Sequence, residues 1–231
     1  MLSPVQGVDD DYRNFIVMTK LPGSMLLSTY GTWNTAQKER LVASYADIAL
    51  RLFRLDVPQE IGTFVPGAAP PSPNVFKNIG QYIDFFFEVK RNSPFIGRDG
   101  SGQVHIHLHE LHQHVDRLLA DLLSNAATNP TLLHCVISHC DLNDMNILVD
   151  ESSGHISGIV DWEYQILQPA CLAAEYPPWL LYDCLDPRFT DVTRTLWLDS
   201  LGESRRLREL YLQIVKDRDP DYWNALVHDP G

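Results

Sequence analysis

The chain has 231 residues, 45% of them apolar and 21% charged, which is the composition of a folded globular protein rather than a disordered or fibrous one. Its formal net charge is −12 and no basic stripe runs along it, so a nucleic-acid partner is excluded as a first reading. No apolar run reaches the length of a membrane span. The four cysteines, Cys135, Cys140, Cys171 and Cys184, fit no zinc spacing, and a reduced, cytoplasmic setting is the expectation.

Met1 to Asn14 is polar. Phe15 to Met18 is a short apolar run that reads as a strand, and Thr19 to Gly23 ends in a Pro-Gly turn. Thr35 to Leu55 reads as the strongest helix: Leu41, Tyr45, Ile48, Leu52 and Leu55 recur at spacings of three and four, and Asn34 or Thr35 is placed to cap it. Gly62 to Pro73 is rich in Pro, Gly and Ala and predicts a surface loop. Gln81 to Val89 predicts a helix, and Gly97 to Gly102 a turn. Val104 to Leu123 predicts a second long helix with Leu108, Leu111, Val115, Leu118, Leu119 and Leu122 inward. That helix carries five histidines, of which His105, His109 and His112 share a face; a zinc site there competes with the plainer expectation of imidazoles on a solvated surface.

Cys135 to Ser138 predicts a strand that enters a polar loop with His139, Asp141 and Asn146. Two short apolar runs, Asn146 to Val149 and Ile156 to Val160, flank the turn Glu151-Ser152-Ser153-Gly154 and predict a β-hairpin. Asp161 follows directly. A hairpin folds back on itself, so Asp141, Asn146 and Asp161 should meet at its open end, where two carboxylates and an amide oxygen would suit Mg²⁺ plus one free base. Downstream, Phe189 to Leu198 and Glu203 to Val215 predict two helices, the second with Leu207, Leu210, Tyr211 and Ile214 inward. Asp219-Pro220 opens a last short helix through Leu226.

His139-Cys140-Asp141, then Asn146, then a hairpin running into Ile159-Val160-Asp161-Trp162-Glu163 resembles the catalytic loop and metal segment of the aminoglycoside phosphotransferase family, of protein-kinase-like fold and of its fungal type. Cys140 stands where the family usually has glycine. The resemblance implies an α+β, mainly helical fold: residues 1–23 a remnant small-lobe strand and hinge, and residues 24–231 a helical large lobe. It implies ATP as phosphoryl donor, Mg²⁺ held by Asn146 and Asp161, Asp141 as the group that orients the acceptor hydroxyl, and His139 as a scaffold of the loop. It places Met18 behind the adenine, with the Thr19 carbonyl and the Leu21 N–H as its hydrogen-bond partners. The acceptor would be a small-molecule hydroxyl compound, and Glu163, Glu175, Asp183 and Asp186 are acids that could draw a cationic one; Asp144, inside the loop, has no assigned role.

Only fourteen residues precede Phe15, with one glycine and no lysine, so no match exists for the family's phosphate loop or phosphate lysine. The resemblance therefore implies a truncated chain, weakly active or inactive, and a catalytically silent binding module is the alternative from another class. The strand edge at Phe15 to Met18 would be exposed, which predicts self-association.

Overall fold

The computed structural model describes residues 19–63, 74–92, 103–180 and 199–227. Phe15 to Met18, the turn at Gly97 to Gly102, the helix expected over Phe189 to Leu198, and Cys184 lie outside these residues. The fold is mixed α/β with two small antiparallel sheets.

Strand β1 (Ser24–Met25) follows residues 19–23 and leads into the short helix α1 (Leu26–Thr29). Helix α2 (Thr35–Phe53) forms where the apolar period places it. Asn34 caps it: its side chain accepts the Gln37 N–H at 3.0 Å, and the Gln37 side chain accepts the Asn34 N–H at 3.1 Å. Leu41 and Tyr45 are buried, whereas Leu55 lies past the helix end and is 45% exposed. The sheet β3-β2-β7-β4 is built from β2 (Ile61–Thr63), β3 (Asn74–Phe76), β4 (Cys135–Ser138) and β7 (Ile166–Pro169). The expected loop from Gly62 is thus corrected at its start, because Gly62 and Thr63 pair with β7. The outer edge of β4 is closed by the Gln59 amide, which accepts the Cys135 N–H at 2.8 Å and donates to the Cys135 carbonyl at 3.3 Å.

Helices α3 (Ile79–Asn92) and α4 (Gln103–Ala126) run beyond the predicted ends. The period places Leu111 on the inward side of α4, but it is 49% exposed. His112 stacks on Phe87 at 4.4 Å between ring centres and hydrogen-bonds Asp84 at 3.2 Å. The side chains of His105, His107 and His109 are outside the described set, and among the described residues no three His, Cys, Asp or Glu groups are gathered as a metal would need.

Strands β5 (Ile147–Val149) and β6 (Ile156–Ile159) form the expected hairpin, and β1 adds to its β5 edge in the order β1-β5-β6. Helix α5 (Ala170–Ala173) follows β7. Helices α6 (Leu201–Arg218) and α7 (Pro220–Leu226) close the fold. Leu207 and Tyr211 of α6 are fully buried against α2, and the Tyr45 ring meets Trp179 edge-on at 5.3 Å and Tyr211 at 5.8 Å. Full burial of one such side chain stabilises by about 1.5–3 kcal/mol. Asp219 caps α7 by accepting the Tyr222 N–H at 3.1 Å, and Arg54 at the end of α2 pairs with it at 2.5 Å. Cys135, Cys140 and Cys171 are free thiols. Among the described residues no helix is long and apolar enough to cross a membrane.

Candidate active site

The core holds the hairpin at both of its ends. At the turn, the Asp150 N–H donates to the His155 carbonyl at 2.9 Å and the Gly154 N–H to the Asp150 carbonyl at 2.9 Å. The Ser152 hydroxyl and the Ser152 and Ser153 N–H groups all donate to the Asp150 carboxylate, which pulls its pKa down to about 2. Helix α2 grips this turn from outside. Gln37 donates to the Glu151 carbonyl at 3.1 Å, and the Ser44 hydroxyl accepts the Ile156 N–H at 3.1 Å. Gly154 sits at φ +80° against the helix, where a Cβ would come within 2.5 Å of the Gln37 carbonyl oxygen. Only glycine has both the backbone freedom and the room for that approach.

At the open end the predicted residues come together. The Val160 N–H donates to the Asn146 carbonyl at 3.0 Å, so Asn146 lies directly across from the residue before Asp161. Asn146 is 9% exposed, and its Nδ2 donates to the Asp141 carbonyl at 2.8 Å. That bond leaves the amide oxygen Oδ1 as the free acceptor of the pair. His139 is buried. Its Nδ1 accepts the Asp141 N–H at 3.3 Å, which makes Nε2 the protonated nitrogen that donates to the Val160 carbonyl at 2.8 Å. One neutral imidazole therefore ties residue 141 to residue 160. The Trp162 ring packs on it at 4.7 Å and donates to the Ile159 carbonyl at 3.0 Å. The carboxylates of Asp141 and Asp161 stay solvent-exposed.

Among the described residues, the non-glycine positions with left-handed backbone are Cys140 (φ 61°) and Asp161 (φ 66°), one at each side of this site. Aspartate tolerates that conformation better than most residues; cysteine does not, and a glycine at 140 would adopt it freely. Left-handed backbone at Asp161 itself and at the residue before Asp141 is the kind of local strain that clusters at functional centres. Asp144 contributes its carbonyl, which accepts the Leu27 N–H at 3.1 Å and fastens α1 to the loop.

Beside the loop lies a cavity of about 230 Å³ that Asp141, Cys140 and Glu175 line together with the rings of Tyr45, Trp162 and Tyr222. Among the described residues, no lysine or arginine lines it. Solvent reaches Glu175, yet the surrounding protein desolvates its carboxyl and raises its pKa. Glu163 is exposed next to Asp161, and Asp183 and Asp186 lie outside the described residues.

On the other side of the hairpin, sheet register aligns Met25, Leu148 and Gly158 across β1, β5 and β6. Ile147 and Val149 are buried, so Leu148 faces away from the core, and Met25 is 49% exposed on the same face. The Leu21 side chain lies over Gly158. Met25 and Leu148 share this face only through the pairing of β1 with β5, which no local pattern in the sequence announces. Thr19 and Leu21 are exposed, and Met18 lies outside the described residues.

A loop aspartate, an asparagine at the foot of a hairpin and an aspartate at its exit are held at one end of that hairpin by the His139 ring, which bonds residues 141 and 160, and by the Asn146 amide. The chain belongs to the phosphotransferase enzyme family, whose model matches residues 2–170. It is 36% identical over 238 aligned residues to the Clavilactone A biosynthesis cluster protein Y of the fungus Ampulloclitocybe clavipes. The alignment takes in 94% of this chain, and the chain spans 57% of that relative's length. No solved structure matches.

Proposed function

We propose that this chain is the large lobe and hinge of an ATP-dependent phosphotransferase acting on a hydroxyl group of a small molecule. The observation that carries the reading is the linkage of residues 141, 146 and 160 through the Asn146 amide and the His139 ring, which brings three family-ordered polar residues to one end of the hairpin. The donor set suits Mg²⁺: the Asn146 amide oxygen is left free by the bond its nitrogen makes, and the Asp161 carboxylate is open to solvent, so both are hard oxygen ligands. Bound there, Mg²⁺ would neutralise the triphosphate.

The chain's own residues have separable tasks. Asp141 accepts a hydrogen bond from the acceptor hydroxyl and aligns it; alignment is the larger part of the effect. His139 holds Asp141 in register with Val160, the residue before Asp161. The apolar row of Leu21, Met25 and Leu148 offers a flat surface for a purine base beside the Thr19 and Leu21 backbone. The cavity with Asp141 and Glu175 takes the acceptor, and its two carboxylates favour one that carries an amine. The relative's name refers to a biosynthesis cluster, which fits an acceptor that is a biosynthetic small molecule.

The test is a transfer assay on the purified chain with Mg-ATP and a panel of amino alcohols and phenols, read as ADP release and as phosphorylated product by mass spectrometry. Turnover that Asp141→Asn and Asp161→Ala abolish supports the reading. Nucleotide binding without turnover supports the silent binding module instead. Zinc bound stoichiometrically and no nucleotide binding would refute both.

A further inference from the structure

We propose that Ser157 is a positioning residue of the nucleotide site, whose hydroxyl locks the hinge segment onto the hairpin carrying Asn146 and Asp161. The inference rests on the phosphotransferase reading above and adds a residue that the family's motifs do not contain. It starts from an irregularity in the hairpin. Leu148 pairs with Gly158 and Val149 with Ile156, so Ser157 is an extra residue with no partner on β5. A bulge of this kind turns a side chain out of the ladder and aims it elsewhere. Here the Ser157 hydroxyl donates to the Pro22 carbonyl at 2.6 Å. Proline has no N–H, so this carbonyl is the only backbone polar group through which Pro22 can be held.

The residues on either side of Pro22 fit the same bulge. Gly23 has φ +105°, and a Cβ there would stand 2.6 Å from the Val149 carbonyl oxygen. At Gly158 a Cβ would stand 2.9 Å from Leu21 Cδ1. Three successive hinge residues thus seat on one bulge: Leu21 through the missing side chain at 158, Pro22 through the Ser157 hydroxyl, and Gly23 through its own missing side chain. The bulge lies between the hinge and the open end of the same short strand pair. A nucleotide spanning from hinge to metal site needs that separation fixed before it binds. Without the hydroxyl, the hinge must be ordered at the moment of binding, and affinity falls.

The experiment uses the whole chain and two probes: a fluorescent ADP analogue with Mn²⁺, and Mn²⁺ alone followed by electron paramagnetic resonance. Ser157→Ala should weaken the ADP analogue by about three- to tenfold, the effect of one neutral hydrogen bond, and leave Mn²⁺ binding unchanged. Ser157→Thr should restore the affinity. Gly158→Ala, which keeps the hydroxyl but displaces Leu21, should weaken the analogue again. Wild-type affinity in Ser157→Ala, equal loss of nucleotide and Mn²⁺ binding, or a Thr variant as weak as the Ala variant would each overturn the lock and leave the phosphotransferase reading standing. A wild-type chain that binds no nucleotide would overturn that reading, and the lock with it.

Discussion

Asn146 is assigned two jobs by its two amide atoms, and substitution can separate them. Nδ2 anchors the loop through the Asp141 carbonyl at 2.8 Å, and in the proposed site Oδ1 is a ligand to Mg²⁺. Asn146→Ala deletes both. The Asp141 carbonyl keeps one donor, the Asn143 side chain at 3.1 Å, so it is not orphaned, and the expected loss is at the lower end for a buried hydrogen bond, about 1–2 kcal/mol. For a chain of this size that lowers Tm by about 2–8 °C. Mn²⁺ affinity should fall by more than about tenfold, because one of two protein ligands is gone. Asn146→Asp keeps an oxygen for the metal but turns lone pairs toward the Asp141 carbonyl. It should melt at least as low as Asn146→Ala and yet bind Mn²⁺ as well as the wild type or better. Thermal melts and Mn²⁺ titrations on both variants decide the matter. If Asn146→Asp loses Mn²⁺ affinity as fully as Asn146→Ala, Oδ1 is not a ligand; if neither variant melts lower, Nδ2 is not the anchor.

Gly154→Ala forces a side chain into the left-handed region and against the Gln37 carbonyl, so it should destabilise by at least about 1–2 kcal/mol in a denaturant titration. Equal stability would mean that α2 does not grip the turn. Glu175→Gln tests the cavity. The folded-state pKa of Glu175 is raised by desolvation, so its ionisation weakens the fold as pH rises past the unfolded-state value. The variant should therefore be more stable than wild type near neutral pH, with the difference disappearing below about pH 4, and should bind an amine-bearing acceptor less well. A stability difference that persists at low pH would place its origin elsewhere than in the charge.

What could be read from the sequence follows how local each feature's cause is. Helix α2 carries its period and its cap within its own residues, and its predicted start at Thr35 holds. The loop and hairpin are contiguous, so the grouping of Asp141, Asn146 and Asp161 could be drawn from spacing alone. Strand β7 could not: Ile166-Leu167-Gln168-Pro169 has no alternation and ends in proline, and it is a strand because β2 and β4 flank it. The β2-β3 hairpin was hidden for the same reason, since three-residue strands separated by a Pro- and Gly-rich stretch have too little pattern of their own. Leu111 shows the limit of periodicity: the period assigns it to the apolar side of α4, yet it is 49% exposed, because burial is set by what packs on a helix and not by its own spacing. In the site, Cys140 was legible as a substitution of the usual glycine, but its left-handed backbone was not. The Ser157 bulge, too, exists only in the register.

In the proposed site the side chains of Asn146 and Asp161 share one divalent cation beside Asp141. The most direct measurement is an anomalous difference map from a crystal of the chain grown with Mn²⁺ and ADP. One strong peak is expected, bonded to Asn146 Oδ1 and the Asp161 carboxylate at about 2.0–2.4 Å, distances ordinary for hard cations and oxygen. A peak bonded to neither residue, or Asp161 directed away from Asn146 with nucleotide bound, would contradict it.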